Sequence, residues 1–405
     1  MKEVIRLKKI LFLGGSKQQI AAIEYAKSKG YYTILCDYLS DNPGQYVADK
    51  FYCTSTTDKE DVLKVAIDNK IDAIVAYASD PAAPTAAYVG NKMDIPSNPY
   101  KSVEILSKKD LFRKFLKENG FNCPTAKSFN NYEEAIKNID IFKFPVMIKP
   151  IDSSGSKGVS RIERKEDFKD AFENALDNSR EKIVIIEEFI KRSHNEMIGG
   201  DAFIINGDVV YFGLLNSHRD FDVNEFVPVG TSFPIFMDEG RVNKVKQEVQ
   251  KVVDKLDMKM GALNLELMFD EEDNLYIIEI GPRNGGNMIP DLLEMSTGVD
   301  LISATVEASL GNFNLNLNSF EEEKFYSTYV IHSKESGILE DVIFSDEIKE
   351  NIIKKVMYKK KLDNIEVFDG ANKALGILFL KYNSLEELKD KMDNMNNFIK
   401  VMLKK

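Results

Sequence analysis

The chain contains no tryptophan and only three cysteines and three histidines, and each shortage removes a class of chemistry. Cys36, Cys53 and Cys123 share no CxxC spacing, so neither a disulfide framework nor a zinc site is indicated and a reducing compartment fits. No apolar run approaches the roughly 18 residues a membrane span needs. The apolar stretch 10–13, although it follows basic residues, is too short for a signal-peptide core. The net charge of −11 is offset by no long basic stripe. Lys8-Lys9 and the lysines 359–361 read as solvated faces, which argues against a general nucleic-acid binder. Two nucleotide signatures are also missing, GxGxxG and GxxxxGK[ST]. The expectation is a soluble, cytoplasmic protein with neither nucleic acid nor membrane as partner.

What is present is an ordered α/β pattern. A chain of 405 residues is long for one core and suggests two to four domains or subdomains. Stretch 9–13, the turn Gly14-Gly15-Ser16 and stretch 18–29 read as strand, turn and helix. A second strand over 32–36 ends at Asp37, a helix covers 58–69 and a third strand covers 73–77. This alternation predicts a parallel-sheet, Rossmann-like domain. Asp37 on a ribose is the tempting reading, but two of the three glycine roles are unfilled, so a scaffold is expected here. The Pro-rich stretch 81–99 reads as the crossing into a second domain.

Further on, Lys109 and Arg113 open an amphipathic helix that Asn119-Gly120 stops. A strand over 145–150 carries Lys149 and runs into Ser153, Ser154, Gly155, Ser156, Lys157 and Gly158. Such a loop leaves backbone N–H groups free to surround an anion. A strand over 182–186 delivers Glu187, Glu188, Phe189 and Ile190, a segment suited to an adenine ring. Asn206-Gly207 marks a hairpin within 202–215, and 241–256 reads as a helix with a valine face. A single helix is expected over 291–310, and strands over 325–332 and 374–381 with a helix over 384–392 suggest a small α+β end unit.

Stretches 262–269 and 275–280 flank an acidic loop and read as a hairpin. In the register that follows, Glu266 faces Glu279 and Asn264 faces Gly281. Side chains so opposed have Cβ atoms about 5 Å apart, and like charges there repel. A hard divalent cation, Mg²⁺ above all, would neutralise them. An exposed hairpin is the competing reading, but Glu279 interrupts the apolar run of Tyr276, Ile277, Ile278 and Ile280. A slip of one residue would send the two carboxylates to opposite faces.

Taken in order, these pieces resemble the ATP-grasp superfamily, in the branch that includes biotin carboxylase, purine-pathway carboxylase and formyltransferase ligases, and amino-acid ligases. The resemblance covers nearly the whole chain. It implies a Rossmann-like domain over 1–105, a lid subdomain over 106–190, a catalytic subdomain over 191–320 and a small α+β unit over 321–405. It makes Lys109 and Lys149 the lysines on the ATP phosphates, and 153–158 the lid loop. Glu187, Glu188, Phe189 and Ile190 become the adenine segment, and Glu196 the acidic residue on the ribose. Glu266 and Glu279 become the carboxylates for Mg²⁺ (or Mn²⁺). Arg283 becomes the arginine on the substrate carboxylate or acyl phosphate, catalytic together with Lys149. Many members carry Asn where this chain has Gly281, which leaves one or two metal ions open; Asn264, across the hairpin, is a substitute ligand.

The implied reaction is an ATP-dependent carboxylate–amine ligation through an acyl phosphate, giving ADP, phosphate and an amide. Two alternatives remain, a bicarbonate-activating carboxylase of the same fold and a catalytically inactive ATP-binding regulator. The partners are ATP, an acid and an amine, with a homodimer as the prior for a symmetric enzyme. His218, Arg219 and Arg241 stand as further candidates for anchoring a carboxylate, with a surface turn as the alternative for His218-Arg219.

Overall fold

The computed structural model describes residues 6–319 and 324–404. Strands β1 (Lys9–Leu13), β2 (Tyr32–Asp37), β3 (Lys50–Cys53) and β4 (Ala73–Val75) form a parallel sheet in the order β3-β2-β1-β4. Its central strands are apolar and buried along nearly their whole length, as a parallel sheet covered on both faces requires. The Gly14-Gly15 turn is closed by its own chain. Asp37 accepts hydrogen bonds from the N–H of Gly15 (2.7 Å) and of Leu39 (2.8 Å), and the Gly44 N–H donates to Gly15 O at 2.8 Å. The carboxylate is thus committed to backbone, which supports a scaffold role for this turn. The stretch 81–99 is no linker: it holds a helix, Ala83–Met93, that packs into this domain. Helix Tyr100–Ser107 runs through the expected boundary at 105.

The lid sheet contains β5 (Ala126–Phe129), β6 (Val146–Pro150), β7 (Ser160–Ile162) and β8 (Val184–Glu188), ordered β5-β8-β6-β7 and antiparallel throughout. Phe129, Phe168 and Phe172 fill its core with the helix Phe168–Asp177. Each such buried ring contributes about 1.5–3 kcal/mol.

The half expected to be catalytic is built on β9 (Met197–Ile205), β10 (Asp208–Asp220), β11 (Asn224–Phe233), β12 (Met260–Phe269) and β13 (Leu275–Gly281). Helix Glu239–Lys255 buries Val245, Val249, Val252 and Val253 against this sheet. The expected helix over 291–310 is two helices, Ile289–Thr297 and Leu301–Ser309, because Gly298 ends the first in a left-handed turn (φ +81°).

The chain ends with β14 (Phe325–Ile331), β15 (Gly337–Phe344), β16 (Ile352–Met357), β17 (Asn364–Ile365), β18 (Gly376–Tyr382) and β19 (Ile399–Lys404). Strands β14, β18 and β16 extend the catalytic sheet into an eight-stranded one, ordered β13-β12-β9-β10-β11-β14-β18-β16. The end unit therefore shares its main sheet with the catalytic half and adds only the three-stranded sheet β17-β15-β19 of its own. The expected boundary at 320/321 lies outside the described residues. Among the described residues no helix is long and apolar enough to cross a membrane.

Candidate active site

The hairpin β12–β13 brings the two glutamates face to face: Glu266 pairs with Glu279, and Asn264 with Gly281. The reason differs from a simple count. From the closing pair Phe269–Leu275 the register runs through Leu267–Ile277, which would set Glu266 against Ile278. A β-bulge then admits one extra residue and brings Glu279 opposite. The freed carbonyl of Ile278 accepts a hydrogen bond from Arg113 Nη2 at 2.9 Å.

Both carboxylates are partly exposed, 36% and 34% at the side chain, and each already has a cation. Arg219 Nη2 lies 2.8 Å from Glu266 Oε1, and Lys109 Nζ lies 3.7 Å from Glu279 Oε2. They line a cleft of about 570 Å³ between the lid and the catalytic sheet, within the usual range for a small-molecule site. Lys109, Lys149, Arg161 and Arg219 face the same space, as do Met147, Phe189, Ile190 and Met268. The cleft is thus cationic beside the glutamates and apolar along the 187–190 segment.

Helix Lys109–Glu118 starts against the lid: its first N–H donates to Ile151 O (3.0 Å), and Lys109 Nζ donates to Ser153 O (2.9 Å). Lys149, on β6, donates to Glu187 Oε2 on β8 at 2.6 Å. The other oxygen of Glu187 lies 2.8 Å from Arg113 Nε, an ion pair with a longer hydrogen bond at Nη2–Oε2 of 3.5 Å. Burial alone would raise the Glu187 carboxyl, but Arg113 and Lys149 bring it down to about 2. Its side chain therefore holds two cations, and what this segment presents to the cleft besides is backbone and the side chains of Phe189 and Ile190. Glu188 accepts from the Lys143 N–H at 2.9 Å, which directs its carboxylate to the lid backbone.

In the lid loop Ser153, Ser154, Gly155 and Ser156 line the cleft; Gly158 does not. Gly158 has φ +71° and a Cβ there would meet Asn178 Cβ at 2.7 Å, so its role is to let the loop turn. Ser156 Oγ donates to Phe226 O at 2.7 Å, which ties the loop to the start of β11.

Several expected residues lie elsewhere. Glu196 is off the cleft wall, which is formed there by Asn195 and Met197, and its electrostatic neighbours are Asp393, Arg192 and Lys389. Arg283 is also off that wall. Its guanidinium forks onto Asp80, with Nε–Oδ1 and Nη2–Oδ2 both 2.6 Å. Asn264 donates its amide nitrogen to Gly200 O (3.0 Å) and Asp201 Oδ1 (2.9 Å) and is not among the residues that line the cleft. His218 is buried against Ser232 Oγ at 2.8 Å, and burial and Arg219 push it down to about 3. Arg241 sits on the surface, 2.8 Å from Asp273. Of the three further candidates only Arg219 reaches the cleft, re-aimed by register shifts on both sides of it in β10.

The donor set suits a magnesium–nucleotide. Two opposed carboxylates supply hard oxygen ligands. Among the described residues no group of three or more His, Cys, Asp or Glu is placed to hold a metal ion. An ion here would take its other ligands from phosphate and water, as Mg²⁺ commonly does.

A family model described as "Carbamoyl-phosphate synthase L chain, ATP binding domain" matches residues 108–316, just over half of the chain. The carbamoyl phosphate synthase large chain of Thermotoga petrophila is 25% identical over 295 residues, covering 68% of this chain and 26% of that one. The C-terminal section of the large chain from Aquifex aeolicus is 22% identical over 319 residues, 75% of this chain and 58% of that one. The chain thus spans about a quarter of the length of the Thermotoga protein. Among solved structures, L-amino acid ligase from Bacillus licheniformis superposes with a TM-score of 0.81 at 18% identity, covering 99% of this chain and all (100%) of that one. Phosphoribosylglycinamide synthetase from Anaerococcus prevotii gives 0.75 at 22%, covering 98% and 100%. The MgADP complex of the biotin carboxylase domain from Hydrogenobacter thermophilus 2-oxoglutarate carboxylase gives 0.73 at 17%, covering 98% and 91%. At these identities the likeness shows the fold, which is ATP-grasp.

Proposed function

We propose a function for a chain that belongs to the carbamoyl-phosphate synthase L chain ATP-binding-domain family: it is an ATP-dependent carboxylate–amine ligase. The observation that carries this reading is the opposed pair Glu266–Glu279 at the cationic end of a nucleotide-sized cleft. Lys109 and Lys149 are placed to meet phosphates, and the 187–190 segment to meet a base. When bound, a divalent ion on the two glutamates would neutralise charge on the phosphates.

The substrate carboxylate attacks the γ-phosphorus of ATP. A new O–P bond forms, the bridging P–O bond breaks and ADP leaves with that electron pair. The amine nitrogen then attacks the acyl carbon and phosphate departs, leaving an amide and a proton. The chain supplies no nucleophile; its work is positioning and electrostatic stabilisation. The lid loop, held at Ser156, keeps water from the acyl phosphate.

A screen of acid and amine pairs for phosphate release, with mass analysis of products, tests this. Including bicarbonate with biotin separates the carboxylase alternative, suggested by the bicarbonate named in the Hydrogenobacter complex. Glu266→Gln is expected to abolish substrate-dependent ADP release, and intact turnover in that variant would remove the metal assignment.

A further inference from the structure

Gly281 follows Glu279 by two residues in β13 and so lies on the same face. Its backbone is outside the left-handed region, so conformation does not demand a glycine there; space does. A Cβ at 281 would lie 2.7 Å from Asp80 Oδ1 and 3.2 Å from Arg283 Nε. A side chain at this position would therefore displace the Asp80 carboxylate and disturb its fork with Arg283.

Asp80 comes from the N-terminal domain, 203 residues earlier than the arginine it grips. The turn that delivers it is strained: Ala78 sits at φ +50°, a conformation a residue with a Cβ adopts at a cost. That turn is anchored by Gln19, whose Nε2 donates to Tyr77 O at 2.9 Å and to Leu13 O at 3.2 Å. Burial would raise the Asp80 carboxyl, yet Arg283 and its hydrogen bonds hold it below the usual range. Both side chains are largely buried. Asp80 also forms part of the wall of a second cavity, about 670 Å³, that meets the nucleotide cleft at Lys109, Ser153 and Glu279.

We propose that Asp80 is a positioning residue for the ligase reaction: it takes the space left by the absent side chain at 281 and fixes the Arg283 guanidinium beside Glu279. The inference rests on the ligase reading above. A forked carboxylate–guanidinium pair sets a direction as well as a charge. The arginine is held in this orientation only while the N-terminal domain, which carries Asp80, is docked.

The test is a double-mutant cycle on the full chain with Asp80→Ala, Gly281→Ala and both together. Substrate-dependent ADP release and the KM for ATP are measured, with thermal unfolding in parallel. A misplaced guanidinium is expected to cost about 10²-fold in kcat with the KM for ATP unchanged, a split that a general packing defect would not give. Gly281→Ala is expected to match Asp80→Ala, and adding it to Asp80→Ala should cost nothing further, because the space is then free. Should Asp80→Ala not fold, Asp80→Ser vacates the same space. Wild-type turnover from Gly281→Ala, or two losses that multiply in the double variant, overturns the proposal while leaving the ligase reading standing. Absence of acid- and amine-dependent ADP release in the wild type instead removes the ligase reading, and this inference falls with it.

Discussion

Glu187 holds Lys149 at 2.6 Å through one carboxylate oxygen and Arg113 at 2.8 Å through the other. One buried anion thereby fixes a lysine of the cleft and the arginine that braces the β12–β13 hairpin at Ile278.

Glu187→Gln leaves Arg113 buried and without its charge partner. Breaking a buried pair in this way costs about 3–5 kcal/mol. Urea denaturation at neutral pH should show that loss, together with a raised KM for ATP as Lys149 swings free. An unchanged urea midpoint would mean that the pair does not hold the lid.

The same carboxyl sets an acid limit. Its folded value, about 2, lies below the ordinary 4.5, so below 4.5 the unfolded chain takes up a proton that the folded chain refuses. Its contribution is whole above 4.5 and is lost as pH falls toward 2. His218, pushed from 6.5 down to about 3, acts with the same sign from 6.5 downward. Asp201 opposes them: burial raises it to about 6 against hydrogen bonds from the Gly285 N–H and Asn264, so its contribution fades as pH rises through 6. Urea midpoints from pH 7 to 3 should fall with a shallower slope in Glu187→Gln.

Under the proposed metal assignment, Arg219, 2.8 Å from Glu266, competes with the ion for that carboxylate. Hydrogen bonds to charged groups are worth about 1.5–3 kcal/mol, so Arg219→Gln should tighten Mn²⁺ binding to the nucleotide-free protein by roughly tenfold or more. Titration followed by electron paramagnetic resonance reads this directly. Weaker Mn²⁺ binding would assign Arg219 to supporting the glutamate's geometry.

The lid loop is tied to the start of β11 by the Ser156 hydroxyl. Removing a hydrogen bond of this kind typically costs about 1 kcal/mol, several-fold in the closed population. Ser156→Ala should therefore release more phosphate per amide formed, a ratio measurable by quantifying both products.

Asn264→Ala strips Asp201 of one donor and should lower stability by about 1–3 kcal/mol with Mg²⁺ dependence retained. A shifted Mg²⁺ requirement would restore the residue as a metal ligand.

Local pattern carried much of this far. The interrupted apolar run at Glu279, the acidic loop after Phe269 and the Gly/Ser run after Lys149 are all encoded within a few residues, so hairpin, lid loop and cleft lysines were readable. The bulge at Ile278 was not, although the expected register depended on it. Relationships over distance were equally hidden. Nothing near Arg283 announces Asp80, and nothing near Glu266 announces Arg219, because both pairings come from how sheets and domains meet. Glu196 illustrates the converse: its place in the sequence suits a ribose, but it lies in the bend just before β9, where Asn195 and Met197 have the cleft side.

The pairing of β11 with β14 means that the end of the chain is structural material for the catalytic half. A protein cut just before Phe325 would leave β11 with a raw margin of open N–H and C=O groups, an invitation to self-association. Attempts to make a minimal enzyme by trimming to the matched region, 108–316, should therefore yield aggregates unless that margin is capped.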